Sequence, residues 1–262
     1  MRMYFDVLGR ENRRGTVFMS SGLGGSAHYW KPQTGTLLEN GFKVIVYDQL
    51  GTGRSRPASL PAGYSIGDMA TEVIDLLDAT GTRDCHFVGH ALGGLVGLQL
   101  ALDAPARLRS LTLVNAWSRI STHTERCFDA RLALLDACGP SAYVRAQPIF
   151  LYPAAWADAH ADAVANEVEH AIEQFPGAQT MRGRIGALRA FDVRAGLERI
   201  DKPVFVSAST DDVLVPWTQS RLLAEALPYA ETEFVARGGH AHNVTEAEAF
   251  NRSLLAFLQK HA

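Results

Sequence analysis

The chain is poor in cysteine. Only Cys85, Cys127 and Cys138 occur in 262 residues, and no two stand in C-x-x-C spacing. That count supplies neither a disulfide framework nor a thiolate metal knuckle, so reduced, mostly buried thiols in a cytoplasmic protein are expected. Excess charge of either sign is also absent: 25 Lys and Arg are scattered against 28 Asp and Glu, for a formal net charge of −3. This excludes the basic footprint of a nucleic-acid binder or of a protein held to an acidic membrane surface. No apolar run approaches the roughly 20 residues that cross a bilayer, because Gln99 and Asp103 interrupt the longest one. The opening stretch "MRMYFDVLGRENRRGTVFMSSG" has neither the apolar centre nor the small-residue cleavage site of a signal peptide. Repeats and low-complexity segments are missing too. A soluble globule with a small-molecule ligand is the expectation, and at 47% hydrophobic it can bury one large core plus a modest insertion.

What is present alternates. Continuous apolar runs of strand length occur at 16–20, 43–48, 85–89 and 110–115, as buried parallel strands require, and further strands are expected at 203–208 and 231–236. Helical patterns lie between them: one after His28, one after Ser65, one after Ala91 and one from about Trp217 to Leu227. Ser65 with Asp68, and Thr245 with Glu248, have the spacing of capping boxes. Residues 117–192 contain no strand and are rich in Ala, Arg and Glu. The expected fold is therefore α/β, a mostly parallel doubly wound sheet built from 1–116 and 193–262, with 117–192 inserted as a helical cap.

The most informative absence is a serine. "FVGHALGGLVG" has the Gly-x-Ser-x-Gly outline of a strand-to-helix nucleophile turn, with Gly89 and Gly93 in place and Ala91 where the serine belongs. Taken alone, the glycines fit any closely packed crossover. Two later segments change the balance. Asp212 follows one strand in "STDDVLVP", and His240 follows the next in "ARGGHAHN", so turn, acid and histidine come in hydrolase order. Separately, Asp212 reads as a helix cap and His240 as a loop histidine; together they read as a catalytic pair at the carboxyl ends of strands. Asp211 is expected to be a solvated neighbour. The backbone N–H groups of Leu23, in "SSGLGGSAHYW", and of Leu92 would face each other as an oxyanion hole.

Rival readings use other residues. Gly22 to Ala27 fits the dinucleotide pattern G-x-G-x-x-A, with Asp48 ending the next strand, but a nicotinamide enzyme would leave Ala91, Asp212 and His240 unused. His240 and His242 offer two imidazoles with no third ligand at recognisable spacing, so no metal is expected, and no cofactor either. His90 reads as a packed scaffold residue, while His160 and His170 read as solvated. Trp117 and Arg119, where the chain leaves the sheet, are candidates for lining the ligand space, Arg119 by holding a carboxylate.

The segments "SGLGGSAHYW", "YDQLGTG", "VGHALGGLVGLQLALD", "VNAWSRISTHTERCF", "AQPIFLYPAAW", "DDVLVP" and "GGHAHNVTEAEAFN" span nearly the whole chain. On them the sequence resembles the α/β-hydrolase family and, within it, the RutD-type proteins of the bacterial Rut pyrimidine-utilisation pathway. The resemblance implies a role in disposing of carbamate, or of aminoacrylate, released during uracil breakdown. Alanine at the elbow is usual in that group, so Ala91 reads as native. Many α/β-hydrolases carry arginine where Leu50 stands, and nothing is carried over there. A homodimer stays open as an assembly state.

Magnitudes point the same way independently. A triad stripped of members keeps roughly 10³–10⁴ over water, and a positioned acid or base contributes about 10²–10⁴. Such factors fall far short of what a stable amide requires. They suffice for a compound that already decomposes readily, such as carbamate or an enamine. A binding or scaffolding protein on a hydrolase fold is the competing class, and retention of both Asp212 and His240 speaks against it.

Overall fold

The computed structural model describes residues 3–56 and 58–262. In chain order the elements are β1 (Phe5–Leu8), β2 (Thr16–Ser20), α1 (Lys31–Glu39), β3 (Lys43–Tyr47), α2 (Ile66–Ala79), β4 (Cys85–His90), α3 (Leu92–Asp103) and β5 (Leu108–Val114). A run of helices follows: α4 (Thr122–Arg145), α5 (Gln147–Leu151), α6 (Ala154–Ala159), α7 (Ala161–Glu173) and α8 (Ala178–Ala190). The chain then closes with β6 (Val204–Ser209), α9 (Trp217–Ala226), β7 (Ala230–Val235), α10 (His242–Thr245) and α11 (Ala247–Lys260).

Seven strands form one sheet in the order β1-β3-β2-β4-β5-β6-β7, parallel throughout except for β1, which runs antiparallel to β3. The period-2 alternation of strands divides the apolar residues between two faces. Phe18, Ile45 and Phe87 point to the face covered by α2, α3 and α9. Val17, Met19, Val44, Val46 and Val88 point to the other, covered by α1 and α11. All six expected strands are present within a residue or two, and β1 is an addition. Among the described residues, no helix is long and apolar enough to cross a membrane.

Two local expectations divide. The capping box on α2 forms: the Ser65 hydroxyl accepts from the Asp68 N–H at 3.2 Å, and the Asp68 carboxylate accepts from the Ser65 N–H at 2.8 Å. The box expected from Thr245 and Glu248 does not, because α11 starts after Glu246 and the Thr245 hydroxyl donates to the Gly238 carbonyl at 2.8 Å instead. The thiols need correction as well: all three are free, but only Cys85 is buried, Cys127 being half-buried and Cys138 exposed.

Candidate active site

Ala91 stands at the carboxyl end of the central strand β4, immediately before α3. Its backbone has φ 47° and ψ −113°, a strained combination for a residue with a side chain. The turn is that sharp because two glycines let backbone meet backbone: a Cβ at Gly89 would run into the Gly93 carbonyl, and one at Gly93 into the Ser20 carbonyl. Neither Leu23 nor Leu92 donates its backbone N–H to any protein acceptor among the described residues. Free N–H groups beside a turn, one of them heading a helix, are what an anionic oxygen needs.

Two further strand ends bring in the acid and the base. After β6 the Asp212 carboxylate receives four donors: the Leu214 and Val215 N–H groups at 2.8 and 2.9 Å on Oδ1, Asn115 Nδ2 at 2.8 Å and His240 Nδ1 at 2.7 Å on Oδ2. An ionised carboxylate only accepts, so Nδ1 carries the proton and Nε2 keeps its lone pair. That Nε2 has no protein partner among the described residues. Both side chains are nearly enclosed, at 4% and 1% exposure, so little water competes for the bond.

The histidine is held through its backbone as much as through its ring. Its carbonyl accepts from Asn115 Nδ2 at 3.0 Å and from His90 Nε2 at 2.8 Å. Burial, with the adjacent His240 ring adding to it, keeps the His90 imidazole well below its ordinary pKa. His90 also stacks on Tyr29, with ring centroids 4.7 Å apart, so this histidine is a strut. Asp211 is not a solvated neighbour: it accepts from the Gly239 and Gly238 N–H groups at 2.8 and 3.3 Å and so ties down the loop that carries His240. Asn115 and Asp211 escape sequence reasoning because the bonds that tie them to the His240 loop and the acid span 97–125 and 27–28 residues. The one local hint is Asn115's position at a strand end, where the backbone takes φ 48°, a value asparagine tolerates better than most residues.

The remaining candidates separate. Trp117 is buried in the core beside the elbow, with its indole N–H unpartnered. Arg119 meets Asp192 across an isolated bridge, with its side chain 58% exposed, and is not brought to His240. His242 turns away from His240 to Ser207 at 2.8 Å, and burial lowers its imidazole to about 4. Asp48 does not wait for a ribose: its carboxylate accepts from the Ala27 N–H and from Arg54, both at 2.8 Å, which closes the dinucleotide reading. The lid reaches the same place through α8. Arg184 donates to Gln49 Oε1 and, at 3.2 Å, to the Leu23 carbonyl, fixing the peptide that follows Leu23.

Comparison with known proteins agrees with this fold. The family profile described as alpha/beta hydrolase fold matches residues 15–137. The enol-lactonase of Burkholderia xenovorans superposes with a TM-score of 0.88 at 24% identity, over 98% of this chain and 96% of its own. A hydrolase of Pseudomonas aeruginosa gives 0.84 at 27%, over 98% and 94%. Two relatives in Variovorax paradoxus and Stutzerimonas stutzeri, both named RutD as candidate carbamate hydrolases, are 62% and 50% identical. They cover 99% and 98% of this chain and 97% and 96% of their own lengths. The chain belongs to the RutD family of proteins with the α/β-hydrolase fold.

Proposed function

We propose that this protein is a cytoplasmic hydrolase of pyrimidine nitrogen breakdown that releases ammonia from carbamate, or from aminoacrylate, without forming an acyl-enzyme. The observation that carries the reading is the Asp212–His240 pair, bonded at 2.7 Å, in a chain whose strand-to-helix elbow has a methyl group where a nucleophile would stand. The names of the relatives in Variovorax and Stutzerimonas supply the substrate class.

His240 is the proton-transfer group and Asp212 orients it and stabilises the imidazolium. For carbamate, Nε2 takes up a proton from solvent and, as imidazolium, passes it to the substrate nitrogen, which makes ammonia the leaving group. The C–N bond breaks, its electron pair leaves with nitrogen, and carbon dioxide remains. For aminoacrylate, protonation of the enamine carbon gives an iminium ion. Water adds to the iminium carbon, ammonia departs, and a carbonyl is left. The Leu23 and Leu92 N–H groups would hold the substrate oxygen.

The test is ammonia release from freshly generated carbamate and from aminoacrylate, enzyme against buffer, by wild type and His240→Ala. The variant should lose a factor of about 10²–10⁴, or fall to the spontaneous rate if that comes first. Equal release above background by both proteins would make the histidine a relic and favour a scaffold.

A further inference from the structure

Arg131 is a buried cation that the chemistry above does not use. The inward face of α4 carries Thr124, Phe128, Arg131 and Leu135, spaced as one side of a helix. Arg131 is 3% exposed, yet its Nε has no hydrogen-bond partner and no carboxylate forms an ion pair with it among the described residues. Among the described residues, the charges that act on it are those of Tyr143 and Cys127. Three rings surround the guanidinium carbon, with centroids at 4.8 Å (Tyr143), 5.4 Å (Phe128) and 5.6 Å (Phe150). Aromatic faces offset part of the cost of burying a cation, but they satisfy none of its N–H groups.

The neighbours repeat the deficit. The fully buried Tyr143 hydroxyl is unpartnered, and so are Arg184 Nη1 and the Trp117 indole N–H. The charges of Arg131 and Arg184 both bear on that hydroxyl. Four buried polar groups, Arg131 Nε, Arg184 Nη1, the Tyr143 hydroxyl and the Trp117 indole N–H, have no hydrogen-bond acceptor among the described residues.

The place is the underside of the lid. Between the acid and Arg131 stands Cys127, close enough to both for their charges to act on its thiol. The helix carrying Phe150, α5, packs on the His240 turn so closely that a Cβ on Gly239 would stand 2.8 Å from the Leu151 carbonyl. At its start α4 is bonded to the loop after the acid, through the Thr124 hydroxyl and the Leu214 carbonyl at 3.1 Å.

We infer that Arg131, with Tyr143 and Arg184 beside it, is the seat for the substrate's carboxylate, leaving the atom to be protonated, the carbamate nitrogen or the enamine carbon, toward His240. This rests on the proposed function, in which both candidate substrates are small carboxylates, and it assigns the group that recognises them. A guanidinium suits the task because it offers a carboxylate two parallel N–H bonds.

The experiment titrates sodium acrylate, an unreactive carboxylate, and neutral acrylamide into wild type, Arg131→Lys and Arg131→Met, followed by calorimetry. Acrylate should bind wild type, bind Arg131→Met about 10–100-fold more weakly, and bind Arg131→Lys in between. Acrylamide should not distinguish the three. Met fills the same space without a charge, and removing an unpaired buried cation should leave the melting temperature equal or higher. A lower melting temperature with unchanged acrylate affinity would make Arg131 structural and overturn the inference. So would equal binding of acrylate and acrylamide to wild type, or no acrylate binding at all. Ammonia release separates this inference from the reading it rests on. Arg131-dependent acrylate binding without catalysed release would sink the activity and keep the seat, whereas release with a KM unchanged by Arg131→Met would do the reverse.

Discussion

At Ala91 a single methyl group carries both the strain and the chemical character of the site. Its φ of 47° and ψ of −113° suit glycine, and holding a Cβ there costs about 1–3 kcal/mol. Ala91→Gly relieves that and gives up the burial of one methyl, about 0.8 kcal/mol. The variant should therefore be as stable as wild type or about 1 kcal/mol more so, read as a higher urea midpoint at unchanged slope. A lower midpoint would mean the turn is not strained. Ala91→Ser places a hydroxyl where the Asp212–His240 pair already stands aligned. It should take a label from a serine-directed phosphonate and turn over aryl esters slowly, while wild type does neither. Rapid ester turnover by wild type at this site would contradict the absence of an acyl-enzyme.

The loop from β7 to α10 holds its histidine by a web of main-chain bonds. Asp211 takes the Gly238 and Gly239 N–H groups, Thr245 donates to the Gly238 carbonyl, and Asn115 and His90 take the His240 carbonyl. Asp211→Ala strips two N–H groups of their acceptor and should cost about 1–3 kcal/mol of stability. Because the loop then holds His240 less firmly, kcat for ammonia release should fall about tenfold or more while KM changes little. Unchanged kcat at reduced stability would make the bond structural only. This web also marks the limit of sequence reading. The strands at 16–20, 85–89 and 203–208 were legible because a strand buried on both faces must be continuously apolar. β1 was not, since all four of its residues are half-buried at an antiparallel edge and carry little pattern. The elbow, acid and histidine were legible because their order along the chain is itself a signal. Thr245 misled because its capping pattern was met locally while a carbonyl seven residues earlier took the hydroxyl. Arg131 and Asp211 sit in patterns any surface segment shows, and only the folded chain reveals the missing or distant partners.

Across the whole molecule, buried titrating groups pull stability in opposite directions over one pH range. His86 and His242 are each lowered by burial to about 4, and His90 lies well below its ordinary value. From pH 6.5 down toward 4 the unfolded chain takes up protons on these three that the folded protein refuses, so stability falls with acid. Glu72 opposes them. Burial raises its carboxyl to about 7, from 4.5, beside a Tyr64 hydroxyl 2.8–2.9 Å from both oxygens. Between 4.5 and 7 the folded protein holds a proton there that the unfolded chain has released, so this contribution weakens as pH rises. Three histidines outweigh one glutamate. Between pH 5 and 6.5 unfolding free energy should rise with pH, by about 2–3 kcal/mol per unit near pH 5 and about 1 near pH 6.5, up to one proton's worth less than the histidines alone would give. Glu72→Gln removes the opposing proton and should steepen the slope by about 1.4 kcal/mol per unit. His242→Gln should flatten it by a similar amount. Urea unfolding of the three proteins at pH 5, 5.5, 6 and 6.5 reads these slopes directly. If Glu72→Gln runs parallel to wild type across that range, Glu72 is ionised in the folded protein and no longer offsets the histidines.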